Sequence, residues 1–166
     1  MSIRSVLQIP ASVLVSPAVP VGRVDDAARA LAQDLLDTMA ASPACVGLAA
    51  PQIGVGLRAF AVDVTGHRKA RSCHGAFVLF DPTVVVEGPA EVAREGCMSV
   101  PDLTGEVARA TQLTVSGIGP DGESCSLRVD AFEARAVLHE LDHLDGLVFL
   151  DRVAGPHVLF PRKVYR

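Results

Sequence analysis

His139-Glu140-Leu141-Asp142-His143 is the stretch from which the rest of this chain is read. Two imidazoles four residues apart fall on one face of a helix. There both can grip one divalent cation, while the glutamate beside the first handles the proton of a water. Two donors do not complete a site. A zincin takes a further His or Glu downstream, and the longer metzincin form runs HExxHxxGxxH. This chain follows that form as far as Gly146 and then has Phe149 where the third His belongs, and no glutamate comes after Glu140. The third ligand lies upstream, is His157, or is absent.

The helix that carries the motif is expected from about Ala131 to Asp145, with Gly146 at the C′ position. Phe132, Ala136, His139 and His143 share one face of it, so the histidines point inward. Before it, Leu113–Ile118 and Ser124–Val129 flank Gly119-Pro120-Asp121-Gly122, a hairpin with turn chemistry. Further upstream, Ala76–Phe80 and Thr83–Val86 read as two short extended pieces bent at Asp81-Pro82, and Arg58–Val64 as a strand. Thr65–Gly75 reads as an exposed polar loop. Gly47–Gly54 is too short and too rich in breakers for a helix. Asp25 is a plausible N-cap for a first helix over 26–40, where Ala28, Leu31, Leu35 and Met39 recur at helical spacing and Ser42-Pro43 ends the run. The fold class is α+β, with short mixed or antiparallel strands packed around the metal-bearing helix.

With 166 residues the chain fits one domain spanning 1–166. Its net charge of -4 and the lack of any long basic run argue against nucleic acid as the main partner. Arg162, Lys163 and Arg166 form a short basic end, read as solvated. No segment approaches the roughly 20 apolar residues needed to span a bilayer, and prolines at 10, 17 and 20 interrupt any secretory apolar run. A soluble, cytoplasmic protein is expected. Its four cysteines, Cys45, Cys73, Cys97 and Cys125, are dispersed, and in that compartment are read as thiols.

Cys97 has unusual surroundings. It lies in Glu95-Gly96-Cys97-Met98-Ser99-Val100-Pro101, read as an irregular glycine-bearing segment. A thiolate there could complete a Cys-His-His site with water as a fourth ligand. Together, Gly47-Leu48-Ala49-Ala50-Pro51-Gln52, Glu95-Gly96-Cys97-Met98-Ser99 and His139-Glu140-Leu141-Asp142-His143 resemble, in order and separation, the three motifs of peptide deformylases, GxGLAAxQ, EGCLS and HExDH.

The resemblance covers essentially the whole chain. It implies Cys97, His139 and His143 as metal ligands and Glu140 as general base and then general acid, in hydrolysis of the N-formyl group from N-formylmethionyl peptides. Gln52, through its side-chain amide, and Met98, through its backbone N–H, would donate to the formyl oxygen, where preorganised donors are commonly worth a few kcal/mol of barrier. Val46, Gly47, Glu95, Phe132 and Ala136 would contact substrate. Arg109 and Asp142 would brace the ligands, Arg109 by pairing with Glu95. The implied cofactor is one divalent ion, ferrous iron with zinc as the alternative. The implied partners are formylated nascent chains, with a transient ribosome contact. Departures are Cys45 for the first glycine, Met98 for leucine, Leu138 before the third motif, and Thr104 where many members carry arginine; Pro156 and Pro161 preclude a long C-terminal helix. Two rival readings stand beside it. One is a zincin-like metallopeptidase using His157. The other is a catalytically altered metal- or peptide-binding protein of the same fold.

Overall fold

The computed structural model describes residues 2–163. Helix α1, Asp26–Ala41, begins where Asp25 caps it by accepting from the Ala28 N–H, and it buries Leu31, Leu35 and Met39. Five strands form one sheet in the order β1-β2-β3-β6-β7: β1 Gly47–Ala49, β2 Ala59–Val62, β3 Phe77–Val86, β6 Gln112–Ile118 and β7 Ser124–Asp130. Helix α2, Ala131–Leu144, follows β7 directly. The remaining strands, β4 Ala90–Cys97, β5 Val100–Ala110 and β8 Leu159–Pro161, form a second sheet in the order β4-β5-β8.

The two helices cover opposite faces of the larger sheet, and period-2 alternation assigns side chains to each. Ala59, Ala61, Val78 and Phe80 pack with α1, whereas Phe60, Val62 and Leu79 pack with Val137, Leu141 and Leu144 of α2. That double cover is why β2 is an unbroken apolar run. A third cluster, around Cys97, Val100, Val107 and Phe149, fills the space beneath the second sheet. Phe149, which closes the metzincin route, is thus a core residue.

The expected architecture is present, and of the mixed or antiparallel pairings expected, those among the named strands are all antiparallel. Three details differ. The two pieces around Asp81-Pro82 are one strand, bent by a register shift between Phe80 and Thr83, with Asp81 at φ 49°. The Cys97 segment belongs to a strand: Cys97 ends β4 at a tight turn, opposite Val100, with a second register shift between Gly96 and Cys97. Nor is the basic end merely solvated. Strand β8 pairs with β5, and Arg162 reaches back to donate to the Cys97 carbonyl at 3.3 Å. Arg166 lies outside the described residues. Gly146, at φ 76°, ends α2 as expected, and a Cβ there would also press on the Ser16 backbone. The four cysteines are free thiols.

Candidate metal centre and substrate cleft

Helix α2 and the β4–β5 turn bring Cys97, His139 and His143 together, with one donor atom of each within 4.8 Å of the others. His139 and Cys97 are each aimed by a neighbour outside the cluster. Glu95 Oε2 lies 2.9 Å from His139 Nδ1, which leaves the other ring nitrogen for the cluster. His143 is 1% exposed, and its Nε2 lies 3.3 Å from Cys97 Sγ while its Nδ1 has no partner among the described residues. The Ser99 N–H donates to Cys97 Sγ at 3.4 Å.

The electrostatics suit a cation between these donors. Burial opposes charge on His139, yet its bonds to Cys97 and Glu95 and the charge of Glu140 hold its pKa well above the ordinary value, so the pocket attracts positive charge. Burial, reinforced by the charges on His139 and Arg109, takes His143 down to about 3 and keeps it the neutral imidazole that ligation needs.

Glu95 organises the centre. Its oxygens accept from Arg109 Nε at 2.9 Å and Nη2 at 3.0 Å, from Arg135 Nη1 at 2.9 Å, and from His139. Burial raises its pKa, but the His139 and Arg109 bonds and the Arg109 charge prevail and bring it down to about 2. With both oxygens engaged, Glu95 braces the centre, and it also borders the cavity where the sequence placed a substrate contact. Arg109 also pairs with Asp142, which Arg152 holds from its other side at 2.8 Å. The expected Glu95–Arg109 and Asp142 bracing is therefore present, and it ties β4, β5 and α2 into one unit.

Glu140 is buried, with Oε2 unpartnered among the described residues, and burial raises its pKa to about 7. It faces Gly47, where any Cβ would collide with Glu140 Oε1. Gln52 is fixed by its own segment: Oε1 accepts from the Ala49 N–H at 2.9 Å, which turns Nε2 toward Ser99 Oγ at 3.1 Å and Cys97 Sγ at 3.5 Å. The sulfur contact is long and weak, so that hydrogen can be redirected to an oxygen entering the site. Met98 sits in the turn beside it, half-buried.

A cavity of about 320 Å³ opens from this centre, and Val46, Gly47, Phe132 and Ala136 line it as expected. Its walls also hold residues the sequence did not reveal: His67, Lys69, Arg94, Arg135 and Arg162. Arginine or lysine in an amphipathic pattern reads as solvated surface, so no periodicity marks these. His157 is exposed and outside the donor cluster, which removes the ligand that the metallopeptidase rival required. Cys45 lines the cavity too. Its thiol points to the Gly47 carbonyl at 3.1 Å and does not join the cluster.

A helix-borne pair of imidazoles, a buried thiol and a carboxyl poised near neutrality form the kind of donor set used by metal-dependent hydrolases. A family model described as polypeptide deformylase matches residues 3–158. The peptide deformylase of Desulforudis audaxviator is 42% identical over 153 residues, which cover 92% of this chain and 94% of that protein. Peptide deformylase 1 of Bacillus subtilis is 36% identical over 93% of this chain and 92% of its own. A crystal structure of the Ehrlichia chaffeensis peptide deformylase in complex with actinonin superposes with a TM-score of 0.86 at 30% identity, covering 93% of this chain and 90% of that one. The chain belongs to the polypeptide deformylase family, metal-dependent enzymes that remove the N-formyl group from nascent peptides.

Proposed function

We propose that residues 1–166 form one catalytic domain that hydrolyses the formyl cap of N-formylmethionyl peptides to formate and a free amino terminus. The observation that carries this reading is the convergence of Cys97, His139, His143, Glu140 and Gln52 on one cavity. Cys97, His139 and His143 would hold one divalent ion; one thiolate and two imidazoles suit ferrous iron, with zinc as the second choice. Such an ion supplies Lewis acidity, which makes water a better nucleophile at neutral pH and draws electron density from a carbonyl.

The remaining steps belong to the chain. Glu140, with a pKa near the working pH, takes the proton of the attacking water and then delivers it to the nitrogen of the departing peptide. Gln52 exchanges its weak sulfur contact for the formyl oxygen and, with the Met98 N–H, opposes the charge that grows there. Glutamine suits the role because it is neutral and its orientation is set by Ala49. Gly47 leaves space for the Glu140 carboxyl and lets an extended peptide lie close to β1. Val46, Phe132 and Ala136 receive the first side chain.

The substrates are formylated chains leaving the ribosome in the cytoplasm. Among the described residues, no helix is long and apolar enough to cross a membrane. The test is formate release from formyl-Met-Ala-Ser by anaerobically prepared protein, with iron and zinc quantified on the same sample. Stoichiometric metal with turnover supports the assignment. A fully metallated protein that releases no formate overturns it in favour of a binding protein.

A further inference from the structure

A second cleft, of about 660 Å³, adjoins the substrate cavity and shares Lys69, Arg94, Phe132 and Arg135 with it. Its cationic walls come from Arg68, Lys69 and Arg71 on the loop after β2 and from Arg94 on β4. Arg135 and Arg109 also border it, but Arg135 is paired with Glu95, and Arg109 with Glu95 and Asp142. The acidic residues on the walls are Glu91 and Asp130, and one oxygen of Asp130 is taken by the Ser72 N–H. In a chain of net charge -4 this is a local reversal of sign.

The loop is fastened in place, so its charges are preorganised. His67 stacks on Phe132 with ring centroids 3.7 Å apart and planes 6° from parallel. On its far side, Glu133, fully buried at the start of α2, accepts from the His74 N–H at 2.9 Å and from the Ser72 hydroxyl, while the Asp130 N–H donates to Ser72 Oγ at 2.8 Å. Between these anchors the side chains of Arg68, Lys69 and Arg71 are exposed and, among the described residues, form no ion pair. Arg94 lies over the Phe160 ring at 3.8 Å and, among the described residues, has no carboxylate partner. Three unpaired cations on one braced loop repel one another, and a negative ligand would relieve that repulsion.

Resting on the deformylase reading, we propose that this cleft selects N-formyl peptides that carry carboxylate side chains just after the formylated residue, with Arg68, Lys69 and Arg71 as specificity-determining residues. The cleft is continuous with the cavity that takes the first side chain, so charges a residue or two downstream fall within its field. Attraction of this kind raises association and fades with salt.

The experiment compares kcat/KM of the metal-loaded enzyme on formyl-Met-Asp-Asp, formyl-Met-Ala-Ala and formyl-Met-Lys-Lys. The expected order is acidic, neutral, basic. The acidic peptide should lead the basic one about tenfold at low ionic strength, and the gap should shrink severalfold in about 0.5 M NaCl. An Arg68→Ala/Arg71→Ala double variant should keep its rate on the neutral peptide and lose most of the acidic advantage. Equal rates on all three peptides, a basic preference, or a preference that the double variant retains would overturn the proposal. If no peptide releases formate, the deformylase reading fails by itself. The cleft is then read by binding of the unformylated Met-Asp-Asp and Met-Lys-Lys, where an acidic preference lost in the double variant supports the selectivity and its absence sinks it. Binding of a short single-stranded RNA that depends on Arg68 and Arg71, without any peptide preference, would make the cleft a nucleic-acid surface and also refute the proposal.

Discussion

Glu140 and Gly47 share a space that admits no further atom, since a Cβ at position 47 would overlap the Glu140 carboxyl. Gly47→Ala should therefore displace the proton-handling group while leaving Cys97, His139 and His143 in place. Formate release should fall at least tenfold with metal content unchanged, and overpacking should cost about 1–3 kcal/mol in a urea titration. Two other substitutions separate proton transfer from metal holding. Glu140→Ala should retain metal and lose about 10²–10⁴-fold in kcat, whereas Cys97→Ala should lose the metal by elemental analysis; full metal retention in the cysteine variant would refute the ligand assignment. Cys45 makes a contrasting case. Burial first, then the charge of Glu140, pushes its thiol up to about 11, so the reactive thiolate is scarce at neutral pH. Alkylation at Cys45, followed by peptide mass mapping, should be slow at pH 8 and accelerate toward pH 11. Rapid labelling at pH 8 would contradict that environment.

The elements that could be read from sequence are those with a clean period. Helix α1 shows apolar residues at helical spacing behind an Asp25 cap, and α2 carries His139 and His143 on its inner face. The β6–β7 hairpin announces itself by its Gly-Pro-Asp-Gly turn. Strand β4 was not legible, because most of its residues face solvent and its two buried members are Cys97, at its end, and Glu95, a charged side chain that no hydrophobic pattern marks. The Cys97, His139 and His143 cluster was legible through its motifs, but the cationic wall of the cavity was not, since Arg135 is drawn inward by pairing with Glu95 rather than by apolar packing. Glu133 escaped for the same reason. It is wholly buried and receives bonds from Ser72 and His74, fastening the 65–75 loop to α2. Glu133→Ala should strand those donors and cost about 1–3 kcal/mol. It should also expose the loop to limited proteolysis between Gly66 and Gly75. A loop equally resistant in the variant would show that His67 stacking alone holds it.

At the scale of the whole molecule, one buried ion network joins the second sheet to α2, and its dependence on pH can be derived. Glu95 goes from an ordinary 4.5 down to about 2 on folding. Between those values the unfolded chain binds the extra proton, so stability rises with pH across this window. The contribution is full above 4.5 and disappears as the pH falls through 2. For so buried a group the shift corresponds to about 3 kcal/mol. Glu140, raised to about 7, is protonated in both states below 4.5 and adds no slope there. His139, raised well above 6.5, is likewise protonated in both. His143, lowered to about 3, loses stability in the same acid direction, so the comparison has to be made against a variant that retains it. Glu95→Gln serves. With a chelator present, so that protons and metal do not compete for Cys97 and the histidines, urea unfolding should show the native chain ahead of Glu95→Gln by a few kcal/mol above pH 4.5. That lead should narrow steadily toward pH 2. A constant difference across the range would mean that Glu95 stabilises the fold by packing and hydrogen bonding alone, and that its charge is not what binds β4 and β5 to the metal-bearing helix.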